Sequence, residues 1–351
     1  MPGSEDSTAA AAGASLSVVI VTHDSADALR RTLPAIIDEL RDGDELIVVD
    51  NASTDGTPAA AAGLAPAATV IETGGNPGFG AACNRGADAA SCELLLFLNP
   101  DNAVAPGFRD AIELPLREGR GWGAWQGLVT DAGGERLNSR GGVVHFTGIA
   151  WAGGAGEPRA AAPAGPEEVA FPSGACLAIP RERWERTGGF SEPYFLYHED
   201  TDLGLRLRLA GERVGIEPRA VSDHDYEFDK GPGKWRHLER NRWATVLRDY
   251  PGKLLALVFP ALLATELALL LAAAAGGWLG PKLRANADVA RALPRLLRER
   301  REVQATASVD GATFASCLVA ELDSGFLGAA GRSRLIGGLL RGYWSAVNRL
   351  L

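Results

Sequence analysis

The fold is decided by an apolar, β-branched run at residues 17–21, SVVIV, which leads into Thr22. Such a run is typical of a strand that is buried on both faces of a parallel sheet. Leucine and isoleucine then recur at helical spacing over residues 29–40, and a second apolar run, LIVV at residues 46–49, ends in Asp50. Strand, helix and strand in this order predict a right-handed crossover and a parallel sheet.

The same alternation continues through strands predicted at residues 69–71 and 94–98, with a helix over residues 78–89 between them. Shorter strands follow from about residue 123, and the chain becomes mainly helical after residue 230. We therefore predict an α/β fold with a mostly parallel, Rossmann-like sheet, flanking helices and a helical C-terminal region. Ligands of such sheets bind at the carboxyl ends of the strands, where the polar clusters at Thr22, Asp50 and residues 99–101 fall.

The bulk composition excludes several classes of protein. A net charge of −9 over 351 residues argues against a nucleic-acid-binding protein, which needs a basic surface. The four cysteines form no CxxC pair, so we expect neither a disulfide framework nor a structural zinc site, and a reducing cytoplasm fits best. Residues 1–14 lack the pattern of a secretion signal, and we predict that they form a disordered tail.

A cation site is suggested by Asn99-Pro100-Asp101, which directly follows a predicted buried strand. Proline cannot continue the ladder, so Asp101 is expected to project into the crevice, where a carboxylate can bind a divalent cation. Asn-Pro-Asp is also a good turn sequence, and that alternative stays open. His224, after another predicted strand, is either a further metal ligand or a structural histidine.

A general base is suggested by three closely spaced acids, Glu199, Asp200 and Asp202. A carboxylate can take the proton of an attacking hydroxyl, but acids also favour the N-terminus of a helix through its dipole. The leucines of residues 203–209 alternate as in a strand, whereas the acidic start and Gly211 favour a helix. Periodicity alone leaves both possibilities open.

Two nucleotide-binding patterns are not satisfied. Residues 78–83, GFGAAC, nearly match GxGxxG, but Cys83 replaces the last small residue and the glycines lie too far beyond the preceding strand. No GxxxxGK[ST] sequence is present either. A nicotinamide-dependent oxidoreductase, which needs the glycine fingerprint, is therefore the weaker alternative.

Five ordered motifs together resemble glycosyltransferase family 2, and most closely its rhamnosyltransferase-type branch. They cover roughly residues 15–230 and lie at residues 18–22, 48–56, 76–80, 98–101 and 199–203. The resemblance implies a GT-A fold, a nucleotide diphosphate-sugar donor with dTDP-rhamnose as the leading candidate, and an inverting displacement that uses Mg²⁺ or Mn²⁺. It divides the chain into a nucleotide-sugar-binding half (15–125), an acceptor-side half (126–230) and a helical region (231–351).

The resemblance also assigns roles by position. Asp200 corresponds to the catalytic base, and Asp101 and His224 correspond to metal ligands. Asn99 stands where a strict DxD motif has its first aspartate, so fewer charged ligands are available to the metal. The residues implied to bind the donor are Thr22, Asp50, Asn76, Gly78, Arg85 and Asn99. The alternative function is an inactive sugar-nucleotide-binding scaffold of a glycan-assembly complex.

Membrane contact is suggested by residues 254–280, an apolar segment long enough to cross a bilayer. Glu266 and Pro260 weigh against a span, so a helix lying in the interface and a buried core helix remain alternatives. Basic residues flank the segment on both sides and would attract anionic lipid. We predict a protein at the cytoplasmic face of the cell membrane that acts on a cell-envelope or lipid-linked glycan, and the oligomeric state stays open.

Overall fold

The computed structural model describes residues 13–225, 231–323 and 334–351. Residues 1–12 of the predicted tail therefore lie outside the described part of the chain. The strands are β1 Leu16–Thr22, β2 Glu45–Asp50, β3 Thr69–Glu72, β4 Leu94–Leu98, β5 Asn102–Val104, β6 Trp122–Asp131, β7 Leu137–Ser139, β8 Gly142–His145, β9 Ala150–Ala152, β10 Glu167–Glu168, β11 Cys176–Pro180, β12 Arg213–His224 and β13 Leu318–Val319.

The helices alternate with the strands in the first half of the chain and dominate its last third. They are α1 Ala26–Glu39, α2 Thr57–Leu64, α3 Phe79–Ala89, α4 Phe108–Arg117, α5 Arg181–Thr187, α6 Glu199–Leu209, α7 Lys234–Asp249, α8 Gly252–Ala275, α9 Leu279–Ala305, α10 Gly311–Ala315 and α11 Arg334–Leu350. Short 3-10 turns lie at Arg159–Ala161 and Glu192–Tyr194.

The predicted parallel unit is present as the strand order β4-β1-β2-β3. Its register pairs Thr22 with Asp50, so the carboxyl ends of β1 and β2 meet. Helix α3 lies very close to these strands, because a Cβ on Gly86 would come within 2.3 Å of the Val19 side chain. The four strands and their crossovers confirm the prediction made from the apolar runs.

Beyond β4 the main sheet becomes mixed. Strand β11 lies antiparallel between β4 and β6, and β12 then pairs with β6 in parallel. Strands from both predicted halves thus form one sheet, and a smaller second sheet has the order β13-β8-β9. The division into halves at residue 125 stays a prediction.

The leucines of residues 203–209 form a helix, α6. Their alternation has a packing cause. Leu203 and Leu207 belong to a core beside the parallel sheet, whereas Leu205 and Leu209 belong to the core of the C-terminal region. Because α6 is buried on opposite sides, leucines are needed on both of them, and residues two positions apart on a helix point in nearly opposite directions, so a strand-like alternation results.

The apolar segment predicted at residues 254–280 does not form one continuous helix. Helix α8 ends at Ala275, and the chain turns at Gly277, whose φ of 75° is readily accessible only to glycine. Residues 276–280 therefore lie in the turn into α9 and at the start of that helix. Among the described residues, α8 is the helix long and apolar enough to cross a membrane.

Four buried or half-buried charges join α7, α8 and α9. Glu266 of α8 lies 3.0 Å from the Arg242 guanidinium and 2.8 Å from the Lys282 amine. Glu239 pairs with the same two cations. We call this group the ion quartet. Its two carboxylates balance its two cations, as buried charges require, and the arrangement fixes which face of α8 turns toward the protein.

Substituting Lys282 by methionine should destabilise the helical region, because it leaves two carboxylates facing one cation at a buried site. We expect a loss of about 3 kcal/mol in the free energy of unfolding, measured by urea denaturation. Arg298→Met, at an exposed position of α9, removes a positive charge without a buried partner and should change stability little. Equal stability of the two variants would contradict a structural role of the quartet.

Candidate active site

One cavity of about 380 Å³ lies at the carboxyl edge of the sheet. Its polar side is lined by Asn99, Asp200 and His224, which come from three distant stretches of the chain. Apolar side chains from later parts of the chain also line it, namely Ile149, Trp151, Trp235, Leu238 and Leu269, together with the charged residues Lys234, Glu239 and Arg242 of α7. The cavity thus combines groups that can perform polar chemistry with side chains that can contact apolar groups.

The three acids at the start of α6 have different environments. Asp202 is buried and bonded to Arg206, Arg248 and the Tyr194 hydroxyl. Burial alone would raise the pKa of Asp202, but the two guanidiniums hold it below its ordinary value. Asp202 is therefore a structural ion-pair partner.

Glu199 and Asp200 both line the cavity, and they differ in the hydrogen bonds they receive. Asp200 accepts from the backbone N–H of Gly174 at 3.0 Å and of Thr201 at 2.7 Å. Glu199 is buried, and its Oε2 has no hydrogen-bond partner among the described residues. The N–H donors favour the ionised form of Asp200 over that of Glu199.

The pKa shifts of this pair agree with the hydrogen bonds. Burial raises the pKa of Asp200 above its ordinary value, against the lowering effect of the N–H donors. Burial, together with the nearby charge of Asp200, raises the pKa of Glu199 to about 8. Because the N–H donors stabilise the ionised form of Asp200, Asp200 is the member of the pair that ionises first, and it is the carboxylate that can accept a proton in the cavity.

The two predicted metal ligands lie in contact. His224 Nε2 is 3.0 Å from Asp101 Oδ1 and 3.2 Å from Asn99 Nδ2. The antiparallel pairing of β5 and β12 places His224 opposite Asn102, next to Asp101. A carboxylate oxygen suits Mn²⁺ or Mg²⁺, and an imidazole nitrogen is a ligand of transition metals, which favours Mn²⁺ over Mg²⁺; the two residues therefore fit a divalent cation. Among the described residues, no cluster of three acidic, histidine or cysteine side chains completes such a site.

Thr22 and Asp50 meet at the ends of β1 and β2, as their register requires. The Thr22 hydroxyl donates to Asp50 at 2.8 Å, and the Ser53 N–H donates to the same carboxylate at 2.9 Å. Both residues are about 1% exposed. In this structure the Asp50 carboxylate holds the turn that follows β2, and it does not line the cavity.

The other predicted donor-binding residues surround the loop before α3. Asn76 accepts from the Gly78 N–H at 3.0 Å, and Arg85 donates to the Thr73 carbonyl at 3.2 Å. Gly78 has a φ of 98°, and a Cβ there would come within 2.4 Å of the Phe195 carbonyl. This loop therefore lies directly against the segment that leads into α6, although Asn76, Gly78 and Arg85 do not line the cavity.

The segment that leads into α6 is strained. Phe195, Tyr197 and His198 all have positive φ without being glycine, a conformation that costs of order 1–3 kcal/mol each. Leu196, Tyr197 and His198 line the cavity just before Asp200. We call residues 195–198 the base loop.

Asn241 of α7 holds the base loop. Its side-chain nitrogen lies 3.0, 2.9 and 2.7 Å from the carbonyl oxygens of Tyr194, Leu196 and Tyr197, so its two protons are shared among three acceptors. From the other side, the Phe79 N–H donates to the Phe195 carbonyl at 2.7 Å. Sequence reasoning missed Asn241, because no pattern links an asparagine within a helix to a loop about 45 residues earlier.

Replacing Asn241 by alanine should release the base loop and misplace Asp200. We expect kcat to fall about 10- to 100-fold, with little change in the KM of the donor, in steady-state kinetics. Asn348→Ala, at an exposed position of α11, is the matched control. A rise in donor KM at constant kcat would show that Asn241 acts on donor binding instead.

Sequence comparison identifies related proteins. A profile of "Glycosyl transferase family 2" matches residues 17–119. An N-acetylglucosaminyl-diphospho-decaprenol L-rhamnosyltransferase of Mycobacterium tuberculosis is 31% identical in an alignment of length 263 that covers 66% of this chain and 83% of that protein. An O-antigen biosynthesis protein of Myxococcus xanthus is 29% identical in an alignment of length 214 that covers 57% of this chain and 16% of that protein.

Structural comparison finds the same fold in solved glycosyltransferases. GalNAc-T7, crystallised with UDP, GalNAc and Mn²⁺, superposes with a TM-score of 0.56 at 16% identity, covering 68% of this chain and 49% of that chain. A mannosyltransferase of Pyrobaculum calidifontis, solved with GDP-mannose and Mn²⁺, gives a TM-score of 0.53 at 22% identity, covering 84% of this chain and 86% of that one. The predicted GT-A fold is thereby confirmed.

Proposed function

The chain belongs to the rhamnosyltransferase-like branch of glycosyltransferase family 2, and we propose that it moves a sugar from a nucleotide diphosphate donor to a hydroxyl of a lipid-linked or cell-envelope glycan. The observation that carries the proposal is the cavity in which Asn99, Asp200 and His224 meet, with Asp101 bonded to His224. A base and a pair of cation ligands that share one cavity are what such a transfer needs. The name of the mycobacterial relative supports rhamnose as the transferred sugar and a lipid diphosphate as the carrier of the acceptor, and we propose dTDP-rhamnose as the donor.

Asp200 acts as the general base in this proposal. Its carboxylate takes the proton of the acceptor hydroxyl as that oxygen attacks the anomeric carbon, and the bond from that carbon to the diphosphate breaks on the opposite side. This single displacement inverts the anomeric configuration. The N–H groups of Gly174 and Thr201 keep the carboxylate oriented.

Asp101 and His224 would hold a divalent cation, with the Asn99 side-chain oxygen as a further donor if the amide is oriented toward it. The cation supplies charge neutralisation for the departing diphosphate. Mn²⁺ in the two solved structures of the same fold supports this assignment.

The donor nucleoside would lie over the ends of β1 and β2. Thr22 and Asp50 shape the floor of this region through their mutual hydrogen bond, and Asn76, Gly78 and Arg85 form its rim through the loop before α3. Because that loop contacts the base loop at Phe195, the position of a bound donor relative to Asp200 would be fixed. We place the enzyme at the cytoplasmic face of the membrane, where nucleotide sugars and lipid-linked acceptors meet.

Asp200→Asn should retain the fold and donor binding but lose the base. We expect kcat for transfer to fall by about 10²–10⁴, measured with dTDP-rhamnose and a lipid diphosphate acceptor, while dTDP still stabilises the variant in a thermal shift assay. Asp88→Asn, at an exposed position of α3, is the matched control. Near-normal transfer by Asp200→Asn would refute the base assignment, and a wild-type protein that binds donor without any transfer would instead be the inactive scaffold.

Asp101→Asn should weaken the cation site without altering the cavity wall. Mn²⁺ should raise the melting temperature of the wild-type protein with dTDP, and the Mn²⁺ concentration needed should increase roughly tenfold or more in the variant. His224→Ala should behave alike, whereas Asp88→Asn should match the wild type. An unchanged Mn²⁺ response in both ligand variants would place the cation elsewhere.

A further inference from the structure

Helix α8 exposes a continuous apolar face. Leu263, Leu267 and Leu271 are 53%, 61% and 66% exposed, and Phe259, one turn earlier, is 49% exposed. Their four-residue spacing places them on one side of the helix. A row of exposed large apolar side chains over three turns marks a surface that binds an apolar partner.

The opposite face of α8 is fixed to the protein. Leu254, Val258 and Leu262 are fully buried in the C-terminal core. Further along, Glu266 belongs to the ion quartet and also accepts from Trp243 at 2.9 Å. A transmembrane α8 would remove Glu266 from these partners and place a carboxylate in hydrocarbon, which is costly. The structure therefore argues against a span.

Helix α11 packs against α8 and also exposes apolar side chains. The Tyr343 hydroxyl donates to the Leu257 carbonyl of α8 at 2.6 Å, and Trp344 and Val347 pack into the same core as the buried face of α8. On α11, Leu335 and Leu339 are 75% and 67% exposed. Two neighbouring helices thus carry large exposed leucines.

The charge distribution indicates the chemistry of the partner. Residues 231–351 contain 17 lysines and arginines against nine acids, whereas residues 1–230 contain 18 against 35. Arg291, Arg298 and Arg301 of α9 and Arg341 of α11 are exposed. Leucines combined with exposed arginines are typical of helices that lie on anionic lipid.

We propose that α8 is a monotopic docking helix that lies in the plane of an anionic phospholipid surface, with Phe259, Leu263, Leu267 and Leu271 in its acyl region. Leu269 of the same helix lines the cavity beside Trp235 and Leu238. This apolar side of the cavity receives the lipid-proximal part of the acceptor from the membrane. The part of the inference that concerns the acceptor rests on the proposed function, whereas the docking of α8 does not depend on it.

Flotation of the full-length protein with phosphatidylcholine vesicles, with and without phosphatidylglycerol, tests the docking. The protein should float with both and more strongly with phosphatidylglycerol, and Leu263→Glu/Leu267→Glu should weaken binding about 100-fold, since burial of each leucine is worth roughly tenfold. Ala59→Glu/Ala62→Glu adds the same charge at exposed positions of α2 and should float normally. Unimpaired flotation of the leucine variant would overturn the proposal.

A scan with single labelled cysteines distinguishes an α8 that lies in the plane of the membrane from one that crosses it. Single cysteines from residue 259 to 272, in a Cys317→Ser background, are labelled with an environment-sensitive fluorophore. Vesicles should shift the emission with a period near 3.6 residues, with maxima at 259, 263, 267 and 271. A uniform shift along the helix would indicate a span. The wild-type protein could instead fail to bind vesicles and form a dimer without lipid, which Leu263→Glu/Leu267→Glu dissociates. That result would assign the exposed face of α8 to a second copy of the chain and overturn the proposal.

Activity separates this inference from the proposed function. The leucine variant should transfer sugar normally to a short water-soluble acceptor and lose at least about tenfold in rate with acceptor embedded in vesicles. Equal loss on both acceptors would refute the docking role. If the wild type transfers sugar to neither acceptor but still shows the periodic emission shift with vesicles, the proposed function is refuted and the docking proposal is supported.

Discussion

The side-chain amide of Asn241 holds together the part of the molecule on which the catalytic arrangement depends. Three residues of the base loop adopt left-handed backbone conformations, which persist only where the surroundings impose them. Asn241 contacts the carbonyls of Tyr194, Leu196 and Tyr197, and the Phe79 N–H donates to the carbonyl of Phe195. The orientation of Asp200 is therefore set jointly by the start of α3 and by a helix of the C-terminal region.

Three acids within four residues show how environment divides similar side chains into different roles. Asp202 is neutralised by two arginines, Glu199 is desolvated without a cation, and Asp200 faces the cavity with two N–H donors. The helix dipole acts on all of them, so it cannot explain the difference. The three carboxylates differ because each side chain projects from the first turn of α6 toward different neighbours.

The parallel strands and the ends at which polar residues gather could be predicted from the sequence, because buried strands and crossover helices have distinct periodicities. The resemblance implied that Asp101 and His224 act as metal ligands; the structure brings the two side chains within 3.0 Å of each other, and their metal-binding role stays a prediction. Asn241 and the ion quartet could not be predicted, because each depends on how helices from distant stretches pack. The antiparallel insertion of β11 likewise depends on tertiary pairing. The leucine alternation before Gly211 was ambiguous because α6 is enclosed on opposite sides.

The position of β11 in the sheet bears on the order in which the chain can fold during synthesis. The neighbours β4, β1, β2 and β3 all come from the first hundred residues and can assemble as soon as these have left the ribosome. Strand β6 joins these four strands only through β11, which pairs with both β4 and β6 and follows β6 by about 50 residues in the sequence. The base loop emerges before Asn241 does. A nascent chain can thus complete its four parallel strands early, whereas the backbone conformation of the base loop must wait for α7, which is translated later.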